Sequence, residues 1–228
     1  MIVTYSRLGS NGRLGNQLWQ IAGTIAVAFD HDHAVRFPQW EHQSWFNIPQ
    51  EWFDASLGIE STEIANVPEH TRDYLQHYPL LVPWECLLRK YFQPGADVDI
   101  AQFENKFAPH TAAAVHVRRG DYAEAWRGHG MLSRDYYLEN WPKGRVLVFS
   151  DEPQWCSDNL PGEVVHINPI VDLMLMRQCQ EFLISNSSLA WWGAWLANRP
   201  TIYPEPWFVN APVGSIAVPG WRAVPRAD

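Results

Sequence analysis

The hydrophobic positions along this chain change rhythm near its middle. At the N-terminus a β-branched segment, Ile2–Tyr5, leads into the glycine-punctuated stretch GSNGRLGNQ. A helical pattern follows from Gln17, with Leu18, Ile21, Ile25 and Phe29 on one face. Ala34–Phe37 predicts a second strand, so the opening order is strand, glycine loop, helix, strand, that of a Rossmann-like unit. Residues 37–58 mix aromatics, prolines and polar residues without a period and predict a long ordered loop with short helical turns. Trp84–Phe92 predicts an amphipathic helix bracketed by Pro79, Pro83 and Pro94.

Beyond residue 109 short apolar runs alternate with helical patterns. Ala112–Val117 predicts a buried strand broken only by His116, and Val146–Phe149, Val164–Ile167, Glu181–Ser185 and Thr201–Tyr203 predict four more. Ser133 is placed to cap a helix carrying Tyr136 and Tyr137, and Asp172 to cap the helix LMLMRQCQ. LAWWGAWLAN is a third helix, and a proline-rich tail follows Tyr203. The expectation is an α/β protein of two parts, 1–109 and 110–228.

Composition narrows the function classes. A hydrophobic fraction of 46% with 18% charged residues excludes extensive disorder. The net charge of −8 argues against a nucleic-acid binder, while a local basic pocket stays compatible with a small anionic ligand. Cys86, Cys156 and Cys179 are too scattered for a disulfide framework or a zinc site and point to a reducing compartment. The N-terminus has no signal-peptide pattern, and no apolar run reaches the roughly 20 residues of a membrane span. The expected location is cytoplasmic, with at most peripheral membrane association.

The candidate chemistry sits at predicted strand ends. Ala112–Val117 opens directly into Arg118-Arg119-Gly120-Asp121. Ligands of open α/β sheets bind at the carboxyl ends of strands, and arginine's planar, permanently charged fork suits phosphate oxygens. The competing use of such a pair is a surface cluster meeting acidic neighbours. A second strand runs into Asn186-Ser187-Ser188 at the start of a helix, which makes either a phosphate cradle or an ordinary cap. The N-terminal glycines are spaced G-x-x-G-x-x-G, and the second strand lacks a terminal acidic residue, so a dinucleotide cofactor is disfavoured. That loop still sets Asn16 at a helix N-terminus. Asp30-His31-Asp32 forms a D-x-D, but at a helix end, and no metal is assigned to it. Glycines 128 and 130 give the stretch after the arginines the composition of a mobile loop. The 13 tryptophans offer indole faces that can stack on sugar rings, or simply pack the core.

Taken together these stretches resemble glycosyltransferase family 11, the bacterial and animal α-1,2-fucosyltransferases. Gly12–Gln20 is similar to the family's G-x-L-G-N-Q-L-F-Q element, and His116–Tyr122 to its H-x-R-R-G-D-Y signature. Phe149-Ser150-Asp151 and Asp172-Leu173-Met174 fit its next motifs, and Asn186–Leu196 its N-S-S-F-S-W-W-G-A-W-L block. One departure is Glu181, where the family commonly has histidine two residues after the cysteine.

The resemblance implies a GT-B type fold, two Rossmann-like domains facing across a cleft with the N-terminal, acceptor-side one reduced. It implies metal-independent, inverting transfer of fucose from GDP-fucose to the 2-hydroxyl of a galactoside glycan acceptor, with GDP-fucose as substrate and no cofactor. Arg118 and Arg119 would then clamp the diphosphate, His116 lie beside the nucleotide, and Asp172 meet the guanine. Asn186, Ser187 and Ser188 would line the phosphate site, and Asn16 would contact the donor from the other domain. Trp40, Trp45, Trp52 and Phe53 are candidates for an acceptor surface or for a cover over the small N-terminal sheet. Asp121 is the first candidate for the base, with an equal claim to orienting Arg118, and Glu124 is the second. The alternatives are a transferase using another GDP-sugar and a non-catalytic glycan-binding protein.

Overall fold

A computed structural model of the chain describes residues 2–56, 74–124, 130–209 and 216–226, the side chains of Ala123 and Glu124 excepted. The chain forms two compact units, Met1–Asp99 with Gly214–Ala217, and Ile100–Val213 with Val218–Asp228.

In the first unit, β1 (Ile2–Val3) and β2 (Ala34–Val35) pair in parallel, joined by α1 (Leu14–Asp30). The strand–helix–strand order is that expected, but the helix begins at Leu14 rather than Gln17. Gly12, with φ at +78°, ends the preceding loop, and Gly15 and Asn16 therefore lie in the first helical turn. Helix α1 is buried through Ala28, and Gly23 admits a neighbour: a Cβ there would lie 2.7 Å from Leu75 Cβ. The strands are only two residues long, because a turn from Tyr5 to Leu8 ends the first. Short 3₁₀ turns at Gln43–Trp45 and Gln50–Trp52 punctuate the expected aromatic loop. Trp40 is buried there, stacked on Phe46 and Phe53 with ring centroids 5.8 and 6.3 Å away, and its Nε1 donates to Gln17 Oε1 at 2.7 Å. Trp40 and Phe53 therefore serve the core, and Trp45 and Trp52 are half-buried. Two helices follow, α2 (Tyr78–Leu81) and α3 (Glu85–Tyr91), the second as expected.

The second unit opens with α4 (Ala101–Phe107), then β3 (Ala113–Val117), α5 (Gly120–Glu124) and α6 (Arg134–Glu139). It continues through β4 (Val146–Ser150), α7 (Pro153–Asn159), β5 (Glu163–Val165) and α8 (Pro169–Met176). It ends with β6 (Phe182–Ile184), α9 (Ser188–Ala197), β7 (Thr201–Glu205) and β8 (Arg222–Pro225). All six strands are parallel, in the order β5-β4-β3-β6-β7-β8. Numbered within this unit the order is 3-2-1-4-5-6, the doubly wound Rossmann arrangement. The chain works outward from β3 to β5, then returns to place β6 on the other side of β3. The gap between β3 and β6 is the topological switch point.

One core layer packs Val115, Val117, Val146 and Val148 against Tyr136, Tyr137 and Cys156 of α6 and α7. Helix α9 buries Trp191, Trp192 and Trp195 completely, with Trp191 and Trp195 stacked at 5.7 Å. Ser133 caps α6 as expected, its hydroxyl accepting from Tyr136 N at 3.3 Å. Two expectations are corrected. Asp172 does not cap α8: Asn168 does, accepting from Val171 N at 3.0 Å, because Pro169 suits the first helical position and starts the helix a turn earlier. The tail after Tyr203 is no mere tail, since its Arg222–Pro225 becomes the edge strand β8, a position where proline is tolerated.

Candidate functional site

The switch point brings together part of the set singled out from the sequence: His116, Arg118, Asn186, Ser187 and Ser188 follow or end its two strands. His116, the one polar residue of β3, is 5% exposed, with Nδ1 2.9 Å from Ser185 Oγ at the end of β6. Burial, reinforced by the charge of Arg118, pushes its pKa down to about 4, so the ring is neutral at pH 7. Arg118 leaves the end of β3 between two carboxylates. Its Nη1 meets Asp151 Oδ2 at 2.8 Å and its Nη2 meets Asp121 Oδ1 at 2.5 Å. Its guanidinium also lies 5.3 Å from the ring centroid of Tyr122, whose hydroxyl donates to Asn186 O at 3.2 Å.

Arg119 is held differently. Its backbone N–H donates to Asp151 Oδ1 at 3.0 Å, while its guanidinium lies 3.8 Å above the ring centroid of Trp155 on α7. Asp151, at the carboxyl end of β4, thus ties both arginines to the neighbouring strand. It also explains the glycine between them and Asp121: a Cβ on Gly120 would come within 2.6 Å of Asp151 Oδ2.

On the β6 side, Ser187 occupies the N-cap of α9 with extended backbone, yet its hydroxyl makes no capping bond. The ordinary capping role does not use this hydroxyl, which leaves the cradle reading intact. Asn186 Nδ2 donates to Gly130 O at 3.3 Å, and Arg226 Nη2, just beyond β8, donates to the same carbonyl at 2.6 Å. Ser188 begins α9, so Ser187, Ser188 and the first N–H groups of a ten-residue helix share one end of the sheet with Arg118.

Asp172 sits at the same edge but farther out, on the helix after β5, the strand bordering the sheet. Its Oδ1 accepts from Ile167 N at 3.1 Å. Burial raises its pKa to about 6 against the opposing pull of that hydrogen bond and of His166. His166 is itself fixed, its Nδ1 donating to Ser150 O at 2.8 Å.

Asn16 belongs to the first unit. Its Oδ1 accepts from Gln76 Nε2 at 2.8 Å, and Gly12 makes room for it, since a Cβ there would lie 2.7 Å from Asn16 Nδ2. In the D-x-D, Asp30 Oδ1 accepts from Trp84 Nε1 at 2.7 Å and Asp32 turns the chain with φ at +53°. Among the described residues no group of three or more His, Cys, Asp and Glu is arranged to hold a metal ion, and no helix is long and apolar enough to cross a membrane. The Glu124 side chain and residues 125–129, with the glycine at 128, lie outside the described residues. Glu181 lines a groove with Trp141, Lys143 and Arg222 at the amino ends of the strands, the opposite edge from Arg118. The departure at Glu181 is therefore remote from the arginines.

In the sequence Asp151 stands only within a motif and carries no role; the signal for it is Gly120, whose lack of a side chain records the close approach of that carboxylate.

Residues 88–212 match the model of glycosyl transferase family 11. An Escherichia coli alpha-1,2-colitosyltransferase is 31% identical over 178 residues, a match that takes in 68% of this chain and 59% of that protein. The Oryctolagus cuniculus galactoside alpha-(1,2)-fucosyltransferase 2 is 25% identical over 244 residues, covering 86% of this chain and 68% of that one. Among solved structures, POFUT1 in complex with GDP-fucose shares the fold, with a TM-score of 0.53 at 12% identity over 89% of this chain and 97% of that chain. The match thus spans less than two thirds of the colitosyltransferase's own length. The doubly wound sheet sets an arginine pair and a helix start at its switch point, where ligands bind in such sheets. The chain belongs to glycosyltransferase family 11 and is a homologue of its α-1,2-fucosyltransferases.

Proposed function

We propose that this chain transfers L-fucose from GDP-fucose to the 2-hydroxyl of a galactose-containing glycan, with inversion and without a metal, in a GT-B type enzyme. The observation that carries the proposal is that Arg118 follows β3 while Ser187 and Ser188 open α9 after β6, at the same ends of two adjacent parallel strands. Nucleotides bind at that position in doubly wound sheets.

In the proposed reaction the bond from the anomeric carbon to the β-phosphate oxygen breaks, and its electron pair stays with GDP. The acceptor oxygen forms the new bond from the opposite face, and its proton passes to a carboxylate, for which Asp121 is first choice. Negative charge grows on the leaving phosphate, where Arg118 and Arg119 stabilise it from fixed positions. Ser187, Ser188 and the helix N–H groups take phosphate oxygens, with Asn186 fixing their turn. Asp172, when ionised, accepts from the N–H groups on the guanine edge. Neutral His116 lies beside the nucleotide without adding charge. Asn16 remains assigned to the donor by its motif.

A second reading is favoured by the 31% identity to a colitosyltransferase: the donor is another GDP-deoxyhexose. The test is GDP release from GDP-fucose, GDP-colitose and GDP-mannose, with and without a panel of β-galactosides and a chelator. Release specific to fucose that rises with a galactoside is expected. Colitose-specific release would select the second reading. Release from no donor would overturn both, and a chelator effect reversed by a divalent ion would overturn metal independence.

A further inference from the structure

The end of β3 holds more negative charge than a diphosphate site calls for. Arg118 is filled at both ends of its fork, by Asp151 and by Asp121. The two carboxylates cancel the charge that Arg118 and Arg119 bring to the place where a phosphate is to bind. They also occupy the paired donors that give arginine its two-point grip on phosphate. The two carboxylates are not equivalent. Asp151 is 23% exposed at the end of a central strand, and it is held further by the Arg119 N–H and by Gly120 packed against it. Asp121 is 47% exposed, lies in the first turn of the five-residue α5, and reaches Arg118 across an i,i+3 spacing. The more exposed Asp121 can part from Arg118 by a rotamer change, whereas parting Asp151 from it requires the β3–α5 turn to move.

We propose that Asp121 is a built-in stand-in for the donor phosphate. It holds Arg118 extended until the diphosphate replaces it, while Asp151 keeps the other end of the guanidinium throughout. This rests on the donor-site reading given above and adds an order of events to it. Arg118 is pre-positioned, so phosphate binding does not have to order its side chain. The Asp121 carboxylate leaves Arg118 only when donor is bound, so a proton acceptor is delivered beside the reacting carbon in the donor complex and not before. Asp121 thereby both orients Arg118 and acts as base, in sequence. Asp151 is a positioning residue that acts through Arg118.

The experiment is calorimetric titration of the wild type, Asp121→Asn, Asp121→Ser and Asp151→Asn with GDP and, as the phosphate-free probe, guanosine. A thermal melt confirms that each variant is folded. Serine is too short to reach Arg118, so the second Asp121 variant removes any bond that asparagine retains. Asp151→Asn keeps an acceptor for the Arg119 N–H and isolates the ion pair. Both Asp121 variants should bind GDP about two- to fivefold more tightly than wild type, the scale of a lost exposed ion pair, with guanosine unchanged and kcat greatly lowered. Asp151→Asn should bind GDP roughly tenfold more weakly, because a charge-assisted anchor of the guanidinium is lost. Weaker GDP binding by the Asp121 variants, with wild type binding normally, would overturn the exchange alone. Unchanged GDP affinity in Asp151→Asn would overturn its anchoring part. A wild type that ignores GDP would overturn the donor-site reading, and the exchange with it.

Discussion

His116 and Asp172 show how the site treats buried ionisable groups. The imidazole is buried in a parallel strand against Ser185 and is kept neutral, with its pKa near 4, while the Asp172 carboxyl is pushed up to about 6. Their effects on stability have opposite signs. His116 binds its proton more readily unfolded, near pH 6.5, than folded, so its contribution is full above pH 6.5 and is lost as pH falls toward 4. Asp172 binds its proton more readily folded than unfolded, where a carboxyl titrates near its ordinary 3.8, so its contribution is full below that value and fades as pH rises toward 6. Urea unfolding from pH 7.5 to 4.5 should separate them. The stability difference between wild type and His116→Gln should shift against wild type on acidification, by on the order of a few kcal/mol. The difference between wild type and Asp172→Asn should shift in favour of wild type over the same range. Parallel curves for all three proteins would show that neither group titrates differently on folding. The same carboxyl sets a functional expectation: if Asp172 meets the guanine in its ionised form, as proposed, the GDP affinity of wild type relative to Asp172→Asn should rise as pH increases through about 6.

The helices and strands divide by how far their cause is local. Helix α8 carries two candidate caps, and the observed one, Asn168, is followed by Pro169. Asn168→Ala should cost on the order of 1 kcal/mol in chemical denaturation, whereas Asp172 loses no capping bond when changed, because its partner is Ile167 N, ahead of the helix. A neutral Asn168→Ala would show that the proline start suffices. The buried strands were legible because β3, β4 and β6 are covered throughout, so their sequences are near-continuous apolar runs. Edge strand β8 was not legible: Arg222 and Pro225 are exposed, and only Val224 is buried, so no pattern marks it. The site divides likewise. Arg118, Arg119 and Ser187 could be read because each follows a recognisable strand. Asp151 pairs with Arg118 from a different strand, a contact set by sheet order that no local spacing records.

At the scale of the whole molecule, the proposed donor site links ligand binding to global stability. A ligand that binds only the folded chain raises its unfolding free energy by RT ln(1 + [L]/Kd), about 2.7 kcal/mol at a hundredfold excess over Kd. In a protein of 228 residues that amounts to a rise in Tm of several degrees. GDP should give this shift, whereas ADP, which lacks the guanine edge assigned to Asp172, should give much less. The arginines make a further distinction. Arg118→Ala should abolish most of the GDP shift without unfolding the protein, since α5 and β3 remain packed by Gly120 and Val117. Arg118→Lys keeps the charge but loses the fork, and should recover only part of the shift. If Arg118→Lys matched wild type, point charge rather than the fork, with Asp151 at one end and phosphate at the other, would govern phosphate binding. If GDP and ADP shifted Tm equally, the phosphate cradle would stand but Asp172 would not read the base.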